Sequence, residues 1–204
     1  MTKNNNGFEI QENFPIEVIR NKKEIPLEIR KSQEENEKNL TNQNELIVTK
    51  SIKEKVESKT VNVFDVSSYI LLKLGELTTI KLQKLVYYCQ AWSLVWDESP
   101  LFSERIEAWA NGPVIPDLFF AHKGFFRISN KDIPIGNLGK LTEIQKETIN
   151  SVLDFYGNKS AQWLVSLSHM ESPWMEARRG IPEGVGSRLE IPIDSISEYY
   201  SSLM

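Results

Sequence analysis

Few side chains in this sequence offer a thiol or an imidazole for chemistry. There is one cysteine, Cys89, and there are two histidines, His122 and His169. A thiol beside an imidazole is the smallest arrangement that gives an activated nucleophile. Cys89, however, lies on an apolar helical stripe, where a free cysteine is ordinarily an inert small hydrophobe. The sequence therefore predicts no catalytic residues and a protein that is not an enzyme.

The residue pattern does not favour a metal or cofactor site either. Zinc sites use a tetrahedral set of Cys and His ligands at short spacings, and the sequence has no CxxC or HExxH run. It also has no GxxxxGK[ST] or GxGxxG loop for phosphate. The carboxylates are abundant but dispersed; Glu104 and Glu107 are three residues apart, but they fall in a predicted strand–turn region, so paired-carboxylate hydrolysis is not supported. We expect no metal and no cofactor.

The composition is that of a globular protein. Hydrophobic residues make up 40% and charged residues 25% of the 204 positions. The net charge of −4 disfavours a general nucleic-acid-binding surface, which needs a basic excess. The N-terminus lacks the apolar core of a signal peptide, and no stretch is long enough to span a bilayer. We expect a cytoplasmic protein that binds neither membranes nor nucleic acid.

The aromatic residues divide the chain near residue 60. All five tryptophans and all six tyrosines lie beyond that position. Because aromatic side chains supply large buried areas, the core is expected within residues 61–204. Residues 1–60 have as many lysines and arginines as glutamates, and they offer too little apolar surface to fold unaided. The prediction is a polar N-terminal arm at 1–60 followed by one domain at 61–204.

Apolar residues nevertheless recur at two-residue spacing within the arm. This period is typical of a half-buried strand, and Pro15 and Pro26 would confine such strands to a sheet edge. The arm is either an unstructured tail or a partner-binding extension that forms short strands by strand addition. On the second interpretation, its partner-binding residues are Phe8, Ile10, Phe14, Ile16, Val18, Ile25 and Leu27.

Residues 61–204 are predicted to be mainly α-helical, with about six helices. Capping patterns occur at Asn62, Thr142 and Ser160. A small β element is expected near 101–116, where apolar and polar residues partly alternate before the turn residues Asn111, Gly112 and Pro113. The longest apolar stripe, at spacings of three and four, contains Leu82, Leu85, Val86, Cys89, Trp92 and Trp96.

Polar and aromatic residues of this domain are candidate contacts for a partner. Lys81, Gln83 and Lys84 share a helix with the apolar stripe but point mostly away from it. They form a solvated face, a partner-binding face or an internally hydrogen-bonded face. Trp109 either anchors its turn to the core or is a binding hot spot. The candidate set is Lys81, Gln83, Lys84, Tyr87, Trp109 and Asn111.

Other residues are predicted to have structural roles. Gly112, followed by Pro113, is expected to need a positive φ or a close backbone approach. His169, Pro173 and Trp174 lie near a predicted helix end, where a histidine can satisfy terminal carbonyls and interact with the helix dipole. The basic stretch 178–188 is predicted to be a surface loop. Its alternative role is contact with an anionic partner.

Three segments in this order carry a family resemblance. The first is K-L-Q-K-L-V-Y-Y at 81–88, the second is E-A-W-A-N-G-P-V at 107–114, and the third contains S-H-M-E-S-P-W at 168–174. Together they resemble the Panacea domain, the SocA-like antitoxin family that also includes phage-associated proteins. Ser168 stands where the family pattern has threonine.

The resemblance implies a two-gene toxin–antitoxin pair in which this protein is the antitoxin and binds a cognate toxin protein directly. It also implies an alternative, a phage-associated regulatory or adaptor protein that delivers its client to a AAA+ protease. Homo-oligomer formation stays open. A DNA-binding autorepressor is disfavoured by the acidic pI of about 5.4 and by the lack of a recognisable helix-turn-helix.

Overall fold

The protein is described here from a computed structural model, which describes residues 60–134 and 136–204. The strand-forming residues predicted between Phe8 and Leu27 lie outside the described residues. The domain division near residue 60 therefore stays a prediction.

The described part of the chain is mainly α-helical, as predicted, and has seven α-helices where about six were expected. A 3₁₀ turn at Leu138–Lys140 precedes the fourth helix. The helices are α1 (Val63–Leu74), α2 (Thr79–Trp96), α3 (Pro116–Ala121), α4 (Glu143–Tyr156), α5 (Ala161–Ser168), α6 (Ser172–Ala177) and α7 (Ile193–Ser201).

Two short antiparallel strand pairs complement the helices. Strand β1 (Leu77–Thr78) pairs with β4 (Arg127–Ile128). Strand β2 (Glu107–Trp109) pairs with β3 (Gly112–Val114), and Trp109 faces Gly112 across the turn. This β2–β3 hairpin confirms the small β element predicted near 101–116.

The predicted capping residues begin their helices. The Asn62 side chain accepts hydrogen bonds from the backbone of α1, and Asp65 bonds back to the Asn62 amide at 3.0 Å. Thr142 and Gln145 form the same reciprocal pair at α4. Such pairs satisfy amides that have no partner within the helix. The helix starts are therefore set by local sequence.

Helix α2 lies at the centre of the molecule and packs against α1, α4, α5, α7 and β3. Every residue of α2 from Leu82 to Ser93 is buried, so the buried surface extends around the whole helix and beyond its apolar stripe. Its Tyr88 ring stacks on Tyr156 with centroids 4.2 Å apart, and the Trp92 indole N–H donates to the Tyr156 hydroxyl at 3.1 Å. Aromatic residues thus build the core, as predicted. No helix in the described ranges is long and apolar enough to cross a membrane.

Candidate functional site

The polar side of α2 faces the interior of the protein. Gln83 and Lys84 are 3% and 1% exposed, so the solvated-face interpretation is wrong for both. Lys81 is half-buried, and its ammonium donates to the Gly157 carbonyl at 2.7 Å. Lys81, Gln83 and Lys84 thus all form internal hydrogen bonds, which is one of the three alternatives for this face.

Two glutamines of α2 fix the segment that contains the β2–β3 hairpin. Gln83 accepts from the Ile115 amide at 2.9 Å and donates to the Ile115 carbonyl at 3.2 Å. Gln90 accepts from the amides of Leu101 and Phe102 at 2.9 and 3.1 Å and donates to the Phe102 carbonyl at 3.0 Å. Buried backbone groups need such partners. The side-chain amides of Gln83 and Gln90 therefore hold the two ends of the segment 101–115 against α2.

Lys84 lies between α2 and the hairpin. Its ammonium donates to the Pro113 carbonyl at 2.7 Å. Burial lowers the pKa of Lys84 to about 7, and the negative charge of Glu171 partly opposes this shift. A Cβ at Gly112 would lie 2.8 Å from the Lys84 Nζ and 2.6 Å from the Ser168 Oγ, and the φ of Gly112 is +94°. Both predictions for Gly112, a positive φ and a close approach, are confirmed.

Glu171 is a second buried ionisable group, directly before α6. It is 3% exposed and accepts from the Tyr88 hydroxyl at 3.1 Å, with the Tyr87 hydroxyl at 3.4 Å. Burial raises the pKa of Glu171 to about 8, against the opposing effects of the tyrosine hydrogen bonds and of Lys84. Tyr87, a predicted partner contact, is fully buried, so its side chain lies inside the protein.

Trp174 of α6 also holds the hairpin, through a hydrogen bond. The Trp174 indole N–H donates to the Trp109 carbonyl at 2.9 Å, and Trp109 also donates to Glu107 at 2.7 Å. Pro173 lies in the first turn of α6, where its missing N–H costs no helical hydrogen bond. Trp109 thus anchors its turn, as one of its two interpretations proposed.

His169 and Arg178 flank Trp174. The His169 ring stacks on Trp174 with centroids 4.1 Å apart, and its Nε2 is buried without a hydrogen-bond partner among the described residues. Burial and the charge of Lys84 lower the pKa of His169, so the predicted dipole interaction of a charged ring is not supported. Arg178 is buried and donates to the Ala108 carbonyl at 2.9 Å, which corrects its assignment to a surface loop.

A cleft of about 490 Å³ opens beside this buried network. It lies between the first turns of α2, the hairpin, α3 and the loops at 123–125 and 186–188. Four predicted partner-binding residues line it, namely Gln83, Lys84, Trp109 and Asn111, whereas Lys81 and Tyr87 do not. The structure therefore brings most of the candidates in the helical domain to one place.

Large exposed apolar side chains line the cleft or adjoin its lining residues in the chain. Ile80 and Phe125 line it and are 42% and 50% exposed. Phe120 and Phe126 follow other lining residues in the chain and are 56% and 75% exposed. Exposed apolar patches of this kind mark binding sites for other molecules. The cleft is thus suited to binding.

Cys89 and His122, two of the groups considered for catalysis or metal binding, are both buried. Cys89 is fully buried, and burial raises the pKa of its thiol well above the ordinary value, which disfavours the reactive thiolate. Burial lowers the pKa of His122, whose Nε2 lies 3.1 Å from the Gln83 Nε2. Within 60–134 and 136–204, no three His, Cys, Asp or Glu side chains are grouped so that they could hold a metal ion.

Sequence reasoning missed Glu171 and the aromatic wall formed by Phe119 and Phe125. Glu171 falls at an unassigned position of the third motif, and its partners lie far away on α2, so no local pattern indicates its burial. A sequence signal did exist for Arg188. Arg188 belongs to the stretch 178–188, for which contact with an anionic partner was the alternative, and it lines the cleft.

Comparisons with known proteins agree with the three motifs. The family model described as "Antitoxin SocA-like, Panacea domain" matches residues 82–175, from α2 into α6. Antitoxin SocA of Caulobacter vibrioides (strain NA1000 / CB15N) is 32% identical over 126 residues, which cover 56% of this chain and 67% of the relative. No solved structure matches the chain significantly. The motifs, the family model and the relative agree, and the chain belongs to the SocA-like Panacea-domain family.

Proposed function

We propose that the protein is the antitoxin of a toxin–antitoxin pair and that it neutralises a cognate toxin protein by binding it directly, without catalysing a reaction. The observation that carries the proposal is its shared family with Antitoxin SocA. The matched range 82–175 includes Gln83 and Lys84 of α2 and the hairpin residues that line the cleft.

The burial of the polar groups also supports binding over chemistry. Lys84, Glu171 and the two glutamines of α2 are engaged with backbone or tyrosine groups inside the protein. A general acid or base must instead reach a proton on a bound substrate. The exposed side chains around the cleft are mostly aromatic or aliphatic, and these are the types that anchor protein interfaces.

The test uses the product of the reading frame that adjoins this gene. Expressed alone, that product is expected to arrest growth, and co-expression with the present protein is expected to restore it. The two purified proteins are then mixed without any protease. A stoichiometric complex and loss of toxin activity would support direct neutralisation.

A different result would favour the adaptor alternative. Under the adaptor alternative, the purified mixture keeps full toxin activity, and the toxin disappears only in cells that contain a AAA+ protease. If neither purified inhibition nor protease-dependent loss occurs, the antitoxin proposal is wrong.

A further inference from the structure

We infer that the cleft is the surface on which the toxin docks and that it accepts an acidic segment of the toxin carrying a large apolar side chain. This inference rests on the proposed function and adds the place and chemistry of the contact. It stands on the charge of the lining, the size of the cleft and the apolar residues beside it.

The charge of the cleft is opposite to that of the whole chain. The lining includes Lys84, Lys123 and Arg188 and no Asp or Glu, although the sequence has a net charge of −4. Neither Lys123 nor Arg188 forms an ion pair with another described residue. The nearby Arg127, by contrast, is paired with Glu76. Two rim cations are therefore available to carboxylates of a partner.

The walls of the cleft fit an apolar side chain. Trp109, Val114 and Phe119 line it, and the Trp109 and Phe119 rings lie edge to face with centroids 4.7 Å apart. A volume of about 490 Å³ falls in the range of ordinary binding pockets and can hold one or two large side chains. An aromatic or aliphatic anchor in such a pocket is the usual centre of a protein interface.

The surface beside the cleft favours a protein segment over a small anion as the molecule that binds in the cleft. Phe120, Phe126 and Leu189 each adjoin a lining residue in the chain and are 56%, 75% and 53% exposed. A nucleotide or phosphate held in the cleft would leave these side chains in water. A protein segment that continues past the mouth would cover them, and burial of apolar area is the main favourable term in such contacts.

The test compares two charge-matched double variants of the full chain. Lys123→Glu/Arg188→Glu reverses the rim, and Lys73→Glu/Lys131→Glu reverses two exposed lysines that do not line the cleft. Binding to the purified product of the adjoining reading frame is measured by calorimetry at low and high salt. We expect the rim variant to bind at least about 10-fold more weakly with a flatter salt dependence, and the control to match the wild type.

A second variant tests the apolar anchor. Phe125→Ser, at a half-exposed position, should weaken binding while the thermal melt stays that of the wild type. Wild-type binding by both the rim variant and Phe125→Ser would overturn the inference and leave the proposed function intact. If the wild-type protein itself fails to bind, the proposed function falls with it. Protection of the cleft amides from hydrogen exchange by ATP or inorganic phosphate, but not by the toxin, would also overturn the docking assignment.

Discussion

At the scale of single residues, the buried Lys84 links the first family motif, to which it belongs, with the hairpin of the second motif. An ammonium buried to this degree costs several kcal/mol unless it is paired. The hydrogen bond to the Pro113 carbonyl at 2.7 Å offsets part of that cost, and burial lowers the pKa of Lys84 to about 7. Gly112 lets the hairpin backbone come close enough for this bond. The lysine and the glycine therefore depend on each other, although they belong to different motifs.

We predict that Gly112→Ala destabilises the protein far more than Gly124→Ala. The two glycines have nearly the same φ, +94° and +95°, so the strain that comes from a positive φ is closely matched. A Cβ at Gly124 meets nothing within 4 Å, whereas one at Gly112 meets Lys84 and Ser168 below 3.0 Å. The expected loss in free energy of unfolding is roughly 1 kcal/mol at Gly124 and about 3 kcal/mol at Gly112. Urea denaturation measures both, and equal losses would show that contact with Lys84 is unimportant.

A second prediction concerns the pH dependence of stability set by Glu171. Its pKa is raised from 4.5 to about 8 on folding, so the folded state holds more protons than the unfolded state between these values. The free energy of unfolding should then fall as pH rises through that window, by at most about 1.4 kcal/mol per pH unit. Glu171→Gln removes this titration, and its stability should depend less on pH.

The measurement is urea denaturation of both proteins between about pH 5 and about pH 7, below the window in which Lys84 contributes with the opposite sign. The two histidines, His122 and His169, are unchanged in the variant, so their contributions cancel in the difference. Parallel stability curves for the two proteins would show that the pKa of Glu171 is not raised on folding.

At the scale of elements, the sequence predicted those parts of the fold that local chemistry determines. The capping residues Asn62, Thr142 and Ser160 begin their helices because the side chain and the amide it satisfies are only two or three residues apart. The turn before Gly112 was predictable for the same reason. Each of these features needs information from a short segment only.

The burial of the polar side of α2 was not predictable in this way. Periodicity indicates which residues share a face, but the element that covers the face comes from elsewhere in the chain. Gln83 bonds to Ile115 and Gln90 to Phe102, both on the segment that carries the hairpin. The buried residues of the first motif therefore hold the hairpin in place, and only part of its polar face lines the cleft.

We predict that Gln90→Met is strongly destabilising although methionine fills a similar volume. Three hydrogen bonds to Leu101 and Phe102 are lost, and buried backbone groups are left without partners. The expected loss in free energy of unfolding is roughly 2–4 kcal/mol. Gln162→Met, at an exposed position of α5, is the control and should change it by less than about 0.5 kcal/mol. Urea denaturation measures both variants, and equal losses in the free energy of unfolding would contradict the assigned role of Gln90.

At the scale of the whole molecule, the helical domain extends beyond the family match. The match covers 82–175, yet Ile70 on α1 and Tyr200 on α7 are fully buried in the same hydrophobic core. Tyr200 packs edge to face on Trp92 of α2, with centroids 5.2 Å apart. The folding unit is thus larger than the segment by which the family is recognised, and it includes both flanking helices.

The last prediction is that deletion of residues 1–59 leaves a folded domain. The buried hydrophobic cluster of the described residues runs from Val61 to Tyr200, and the capping box that begins α1 is formed by Asn62 and Asp65. The fragment 60–204 should show the helical circular dichroism and the cooperative melt of a packed domain, and a molten fragment would show that the arm completes the core. Neutralisation by the folded fragment would place toxin binding in the helical domain, as docking in the cleft requires, whereas its loss would assign an essential contact to the arm.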